Sequence, residues 1–371
     1  MNTPARHTPH TARHALLPAL LPVMLLILQP LTATAQDTAQ DTAPKVDVAE
    51  IVMGHVQDDY QWHITTWGDT HLTLPLPVLL WSKETGFRAF LSDRLYPAGT
   101  IHEGFRIATG GPHAGKIVAA DGTRPLDLSV TKTVLGLLIN SLVVMAAVLT
   151  ASRHYRHRKP EDEAPRGWAG LMEMLVTMLE DDIIKPCVGD DYRRFSPYLL
   201  TAFFFIFVNN LMGLVPVFPG GANVTGNIAV TLTLALCTFV AVNVCGTRGY
   251  WKEILWPDVP LWLKCPLPLM PFIELFGIFT KPFALTIRLF ANILAGHFII
   301  LALTSIIFVT AAMGPLVNGP MTLLSVAFSI FMNCLELLVA FLQAYVFTML
   351  SAVFIGMSRV KPHPKTINHK P

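Results

Sequence analysis

The sequence predicts an all-α integral membrane protein with five membrane helices, of which the last two are long, tilted and joined as a hairpin. Composition is the first indication: of 371 residues, 52% are hydrophobic and only 14% are charged, and the mean hydropathy is +0.49. Such values are typical of membrane proteins rather than of soluble enzymes. The second indication is a series of apolar runs, each long enough to cross a bilayer. A net charge of +2 without a basic stripe gives no indication of a nucleic-acid partner.

Residues 1–35 are predicted to form a secretory signal peptide. Arg6 and Arg13 supply a basic start, residues 15–31 an apolar centre, and Ala33-Thr34-Ala35 a small-residue cleavage site. The alternative is an uncleaved first anchor, although three prolines interrupt the apolar centre. Cleavage places the start of the mature chain outside the cytoplasm.

Residues 36–127 are predicted to form a small extracytoplasmic region with some strand content. They are polar, rich in turn residues and contain short alternating runs. Several side chains here could bind a metal, but their spacing matches no ligand template. The five cysteines of the chain all lie in its second half without C-x-x-C spacing, which predicts neither a disulfide nor a zinc framework. We expect no metal and no cofactor. The possible ligands in this region are His55, Asp58, Asp59, His63 and His71.

Five apolar segments are predicted to cross the membrane. Residues 128–160 hold the first of them and its basic cytoplasmic end, and residues 196–357 form a membrane domain that contains the other four. The last two segments exceed a perpendicular span, so they either tilt strongly or lie partly flat or buried in protein. The predicted bounds are 133–151, 197–218, 228–245, 266–312 and 321–356.

Basic residues in the loops predict the orientation of these segments. Basic clusters follow the first and third segments, precede the second and fourth, and occupy the tail at residues 358–371. The loops at 219–227 and 313–320 carry no charge. Five crossings from an outside N-terminus therefore place every basic cluster in the cytoplasm. We expect a multi-pass protein of the cell inner membrane with a cytoplasmic C-terminus.

Residues 161–195 are predicted to form an amphipathic helix on the cytoplasmic surface. Apolar residues recur at helical spacing, while acidic residues occupy other faces. A soluble helix packed on a partner protein would show the same pattern, and the sequence does not choose between the two. The apolar positions are Trp168, Leu171, Met172, Leu175 and Leu179.

Arg288 lies in the middle of the fourth segment, where a charge is costly. An intramembrane cation costs about 2.5–3.5 kcal/mol even on insertion scales. Arginine, unlike lysine, does not lose its proton to avoid that cost. A permanent charge at this depth therefore indicates a functional residue.

The last two segments also predict which polar residues meet. The Gly/Pro-rich turn at residues 313–320 makes them an antiparallel hairpin, in which positions equally far from the turn lie at equal depth. His297 is therefore predicted to be level with Glu336, and Arg288 level with Gln343.

Helical periodicity assigns these polar residues to two groups. At ~100° per residue, Glu274, Lys281 and Arg288 share one stripe, which Asn292 extends, whereas His297 faces the opposite side. Two offset polar routes separated by a fixed cation are what a pair of half-channels requires.

Proton transfer is the chemistry that these groups favour. His297 and Glu336 both titrate and could relay protons from the outer side, and Glu274 could exchange them near the cytoplasm. The alternative is a set of interhelical hydrogen bonds that only holds the bundle together. Lys281 equally fits a residue that snorkels to the interface. Asn209, Asn210 and Asn243 could also line a polar route, but they are expected to be helix contacts.

The pattern Glu274-x6-Lys281-Pro282-x5-Arg288-Leu-Phe-x-Asn292-x3-Gly296 resembles subunit a of the F-type ATP synthase. The resemblance covers roughly residues 133–357, and an Arg-Leu-Phe-x-Asn motif in an apolar helix is highly specific. Leu342-Gln343-Ala344 and the loop at 223–225 are similar as well. Residues 62–64, 74–83 and 127–131 resemble an extended bacterial form of this subunit.

The resemblance implies a stator subunit, not itself an enzyme, that passes protons to a rotating ring of c subunits. Arg288 matches the family's essential arginine, and His297 and Glu336 match the titratable pair of the outer half-channel. In many bacterial relatives the acidic residue is on the first helix and the histidine on the second; here they are exchanged, as in mitochondrial relatives. The implied partners are the c-ring, b-type peripheral stalk subunits, the rest of the complex and membrane lipid. Consistent with a non-catalytic role, the sequence lacks a G-x4-G-K-[ST] phosphate loop.

A secondary ion transporter is the main alternative. Such proteins usually show internal repeats with interrupted helices at matching positions, and this chain does not. An intramembrane protease is a weaker one, because neither H-E-x-x-H nor G-x-S-x-G is present. A passive anchor explains the hydrophobicity but not the matched polar depths. The histidine favours protons over sodium as the transported ion.

Overall fold

The computed structural model describes residues 58–67, 70–156, 167–215, 220–255, 269–311 and 313–359, all within one unit of the chain, Val46–Pro371. The predicted signal peptide, His55 and the tail beyond Arg359 lie outside the described residues.

Residues 58–127 form three small antiparallel sheets, which confirms the predicted strand content. The strands are β1 Gln61–Trp67, β2 Thr70–Pro75, β3 Pro77–Ser82, β4 Gly86–Leu91, β5 Phe105–Ile107, β6 Ile117–Ala119 and β7 Leu126–Asp127. They pair in the orders β1-β2, β4-β3-β7 and β5-β6. Alternate residues of β3 point into a core, where Val78 and Leu80 are fully buried against Tyr60 and Phe105.

The acidic side chains of this region bind other parts of the chain. Tyr60 donates to Asp127 Oδ2 over 2.5 Å, and Tyr96 donates to Asp59. Burial, and then these carboxylates, raise the pKa of both phenols above the usual range. Asp58 accepts hydrogen bonds from the Thr133 backbone N (3.0 Å) and Oγ1 (2.8 Å). Among the described residues, no group of three His, Cys, Asp or Glu side chains is placed to hold a metal ion.

The rest of the described chain is helical. Four stretches are long and apolar enough to cross a membrane, namely Lys132–Arg156, Trp168–Leu214, Phe272–Ala311 and Pro315–Ser358, and the helix Ile228–Val244 is shorter, with 17 residues. The helices are α1 Lys132–Arg156, α2 Trp168–Leu179, α3 Lys185–Val188, α4 Tyr192–Leu214, α5 Ile228–Val244, α6 Arg248–Leu255, α7 Leu269–Ala311 and α8 Pro315–Ser358.

Two helices begin before the predicted membrane segments. The second segment was predicted from Pro197, and the helix that contains it, α4, already begins at Tyr192. Pro197 lies in the second turn of α4, where it cannot donate to the Arg193 carbonyl four residues earlier, and its own carbonyl accepts the Thr201 hydroxyl over 2.7 Å. The turn before α8 is also shorter than residues 313–320. Gly314, with a φ of 91°, ends it, and Pro315 occupies the first turn of α8, a position that proline favours.

Only part of the predicted apolar stripe of α2 is packed inside the chain. Met172 and Leu179 are buried, whereas Trp168 and Leu171 are 54% and 44% exposed. Ala169 is buried instead, so the packed stripe is rotated toward positions 169, 172, 176 and 179. This rotation follows from packing on α1, where Tyr155 donates to the Ala169 carbonyl over 3.3 Å.

The end of α8 is held by several elements. Arg359 Nη2 binds Asp191 Oδ2 at 2.5 Å, and its Nη1 donates to the Cys245 carbonyl over 2.9 Å. Gly356 lies so close to α3 that a Cβ built on it would be 1.9 Å from the Cys187 carbonyl oxygen. The ion pair and hydrogen bond of Arg359, together with the close approach at Gly356, fix where α8 ends against α3 and α5.

Candidate functional site

Helices α7 and α8 lie against each other in opposite directions. Near the turn, Thr310 Oγ1 donates to Asn318 Oδ1 over 3.0 Å. Farther along, Gln343 Nε2 lies 3.5 Å from the Arg288 carbonyl oxygen. Residues farther from the turn on α7 therefore contact residues farther from the turn on α8. The polar residues of the two helices meet in the order that the sequence predicts.

His297 and Glu336 lie at the centre of this contact. Their Nδ1 and Oε1 atoms are 3.4 Å apart, and their side chains are 19% and 4% exposed. Neither carboxylate oxygen of Glu336 has a hydrogen-bond partner among the described residues, so the contact with His297 is an ion-pair distance without hydrogen-bond geometry. A desolvated carboxylate next to an imidazole can exchange a proton with it.

Gly296 makes this arrangement possible. A Cβ built at this position would be 2.8 Å from Glu336 Oε1 and 3.0 Å from its Cδ. Any side chain here would therefore push the carboxyl group away from its position. Because it has no side chain, this glycine, which the sequence marks only as part of a motif, lets α8 place Glu336 directly against α7.

Arg288 is brought to Gln343, but through its backbone. The Gln343 side chain is buried, at 5% exposure, and donates to the Arg288 carbonyl. The Arg288 residue itself is exposed on the surface of the chain. The two residues are at one depth, as predicted, while the guanidinium belongs to the outer surface of α7.

The rest of the stripe on α7 is divided. Glu274 and Asn292 are exposed like Arg288, whereas Lys281 is half-buried and its Nζ lies 5.3 Å from the centre of the Phe354 ring. A cation–π contact of this kind holds the lysine against α8. Three small residues, Ala284, Ala291 and Ala295, are exposed on the same face of α7 as Arg288.

Asn209 and Asn210 join helices, as predicted, whereas Asn243 donates to the Phe239 carbonyl of its own helix over 2.8 Å. Asn140 of α1 donates to Asn209 Oδ1 over 2.9 Å, and Asn210 donates to the Ala340 carbonyl over 3.2 Å. Thr225 Oγ1 in turn donates to Asn210 Oδ1 over 2.7 Å. Asn140 was missed, although a lone amide within the apolar run of α1 was the signal for it.

A second polar chain was also missed. The Tyr198 and Thr238 hydroxyls are 2.8 Å apart, and the Thr238 and Ser351 hydroxyls are 3.3 Å apart. Hydroxyl groups in apolar helices are common, so the sequence offered no signal that distinguishes these three. They connect α4, α5 and α8 beside a cavity of about 10 Å³ that Asn243 and Lys281 help to line.

A family model described as the ATP synthase A chain matches residues 135–356. The chain belongs to this family. The match contains every candidate site residue, from Glu274 to Gln343. A second family model, described only as a domain of unknown function, matches residues 51–133 and so covers the described sheets.

Curated relatives carry the name ATP synthase subunit a. The Chloroherpeton thalassium protein is 43% identical over 239 residues, which are 62% of this chain and 67% of the relative. The Chlorobium phaeobacteroides (strain DSM 266) protein is 42% identical over 250 residues, 66% of this chain and 68% of the relative. The Myxococcus xanthus protein is 43% identical over 245 residues, 64% of this chain and 75% of the relative. Together with the four apolar helices, this family membership makes the chain a multi-pass membrane protein.

Proposed function

We propose that this protein is the stator subunit of an F-type ATP synthase membrane sector that passes protons to and from a ring of c subunits. Two offset half-channels, separated by Arg288, would couple proton flow to ring rotation and hence to ATP synthesis. The subunit itself would have no catalytic role in ATP chemistry.

The exposure of Arg288 is the observation that carries this proposal. An ionised side chain on the outer surface of an apolar helix is costly in lipid, so we infer that a partner with a negative charge covers it. The small side chains of Ala284, Ala291 and Ala295 on the same surface allow a neighbouring helix to approach closely. A ring carboxylate on such a helix is the partner that fits both features.

The buried pair His297 and Glu336 is assigned to the outer half-channel. Its two titratable groups lie 3.4 Å apart inside the chain, on the side of α7 that faces α8. A proton entering from outside would pass between them before it reaches the ring. Glu274 and Asn292, exposed on the same stripe as Arg288, are assigned to the inner route together with Gln343 and Lys281.

Electrostatics would couple the two routes to rotation. A ring carboxylate next to Arg288 is favoured in its ionised form because of the opposite charge. Away from the stator, facing lipid, the same carboxylate must be neutral. The ring therefore cannot turn past Arg288 without giving up a proton on one route and taking one on the other. Each charge that crosses contributes about 2.3 kcal/mol per 100 mV.

The orientation and partners follow from this assignment. The strand region would lie outside the cytoplasm, and the basic end of α1 and the C-terminus would lie inside, in the cell inner membrane. Besides the c-ring, the b-type stalk subunits would hold this stator in place.

Replacement of Arg288 tests the proposal. We expect Arg288→Ala to abolish ATP-driven proton pumping in inverted vesicles, measured by quenching of a pH-sensitive dye, while the complex still assembles. The physical reason is that a ring carboxylate without an opposite charge has no cause to release its proton at the stator.

Thr304→Ala is the control, because Thr304 is exposed on the same helix as Arg288. Its hydroxyl donates to the carbonyl of Ile300, one turn earlier in that helix. Vesicles of the Arg288→Ala complex that pump at the control rate would refute the assignment. A complex that binds no c subunits on purification would refute the stator role itself.

A further inference from the structure

A cleft of about 500 Å³ lies between α1, α2 and α4, away from α7 and α8. One face of α1 forms its longest wall, with Val144, Val148, Ala151 and Tyr155 at helical spacing. Met172 of α2 and Phe204 of α4 complete the apolar lining. No part of the proposed proton path reaches this cleft.

The geometry points to a binding site for one acyl chain of an anionic phospholipid, with the headgroup at the end of α1 that carries Arg156. The inference is independent of the proposed proton path.

The length of the cleft matches one leaflet. From Val144 to Tyr155, α1 rises roughly 16 Å at 1.5 Å per residue. Half of a bilayer's ~30 Å hydrocarbon core is about 15 Å. The volume lies within the roughly 300–1,000 Å³ typical of small-molecule sites. By contrast, an α-helix is about 10 Å across, so a volume of this size would hold only about four helical residues. The cleft therefore does not suit a partner helix.

One end of the cleft is polar, as a headgroup site requires. The Tyr155 hydroxyl donates to Glu173 Oε2 over 2.8 Å, and both residues line the cleft. Tyrosine at such a depth is typical of the membrane interface. Arg156 is exposed and follows Ser152, another lining residue, by four positions, so it lies on nearly the same side of α1.

A basic side chain beside the polar end of the cleft distinguishes an anionic lipid from a neutral one. Glu173 is the charged residue that lines the cleft, and its carboxylate, which would repel a phosphate, accepts the Tyr155 hydroxyl. The guanidinium of Arg156 is exposed and can reach a phosphate. Basic pockets between membrane helices bind acidic lipid headgroups for this reason.

The test is native mass spectrometry of the intact, delipidated complex after addition of phosphatidylglycerol or phosphatidylcholine. We expect the complex to retain one phosphatidylglycerol per subunit that Val148→Trp abolishes, because the indole fills the cleft. Arg156→Gln should weaken retention of phosphatidylglycerol about fivefold, the equivalent of about 1 kcal/mol per basic residue, without changing retention of phosphatidylcholine. Leu142→Trp is the control, since Leu142 is 62% exposed on α1 and does not line the cleft.

Equal lipid retention in Val148→Trp and Leu142→Trp would overturn the proposal, as would equal retention of both lipids by the unmodified complex. A photo-reactive phenylalanine at Val148 provides a second measurement if the tryptophan variant does not assemble. Cross-linking to phospholipid supports the inference, and cross-linking to another protein subunit, or to another segment of this chain, refutes it.

Discussion

At the residue scale, the polar groups of α7 and α8 divide into a buried pair and an exposed stripe. His297 and Glu336 meet at 3.4 Å inside the chain, as equal distance from the turn predicted. Arg288 and Asn292 both face outward. The helical period predicted that they share a face, but not the direction in which that face points. Their proposed roles stay predictions until transport is measured.

The first prediction at this scale concerns the relay between His297 and Glu336. If they act as one unit, their order should matter less than the presence of both types at one depth. We therefore expect the double exchange His297→Glu with Glu336→His to retain more proton pumping than His297→Ala or Glu336→Ala alone. Inverted vesicles are the assay. A double exchange whose loss equals the sum of the two single losses would argue against a shared relay.

The second prediction concerns Gly296. Alanine should displace Glu336, because the added Cβ would be 2.8 Å from its Oε1. The expected result is a strong loss of pumping with little loss of stability, because the carboxyl group that must move is the end of a flexible side chain. Gly277→Ala is the control on the same helix, since its added Cβ meets nothing within 4 Å. Normal pumping by Gly296→Ala would show that the position of Glu336 is not critical.

At the element scale, helix lengths were predicted well and helix faces less well. Apolar runs located the long helices, because a membrane span needs about 20 apolar residues, although α7 and α8, with 43 and 44 residues, are longer than one span requires. Packing partners decide which face of α2 is buried, and α4 and α8 begin before the predicted segments. Trp168 and Leu171 satisfy the helical period but are not the residues that face α1 and α4.

The prediction at this scale concerns the crossing of α8 and α3. Gly356→Ala should force these elements apart, because the new Cβ would be 1.9 Å from the Cys187 carbonyl oxygen, a backbone atom. We expect a lower thermal midpoint for the purified complex. Gly319→Ala, also in α8, places its Cβ in open space and should have little effect or stabilise slightly. Equal midpoints for the two variants would contradict the close packing.

At the scale of the whole molecule, the strand region is joined directly to the first membrane helix. Asp58 caps α1 through the Thr133 backbone and hydroxyl. Trp62 packs with Ala222 and Val224 of the loop before α5. The sequence predicted an extracytoplasmic region with some strands. These contacts show that the region supports the start of α1 and the loop before α5.

Removal of the cap tests this support. Asp58→Ala should cost about 1 kcal/mol and speed hydrogen exchange of the amides at the start of α1. Asp121→Ala is the comparison, because Asp121 accepts hydrogen bonds only from Thr123 within its own turn. Unchanged exchange at Thr133 and Val134 in Asp58→Ala would show that the cap does not hold the helix start.

The sequence by itself determined the apolar helices, the depth at which polar groups meet and the motif that marks the family. Hydropathy, helical period and distance from a turn are local quantities, so they can be read along the chain. Only the tertiary structure decided that Glu336 rests on Gly296, that Gln343 binds the Arg288 backbone and that Tyr155 closes a cleft beside α2. Such contacts depend on the rotation and crossing of helices, which the packing of whole surfaces sets.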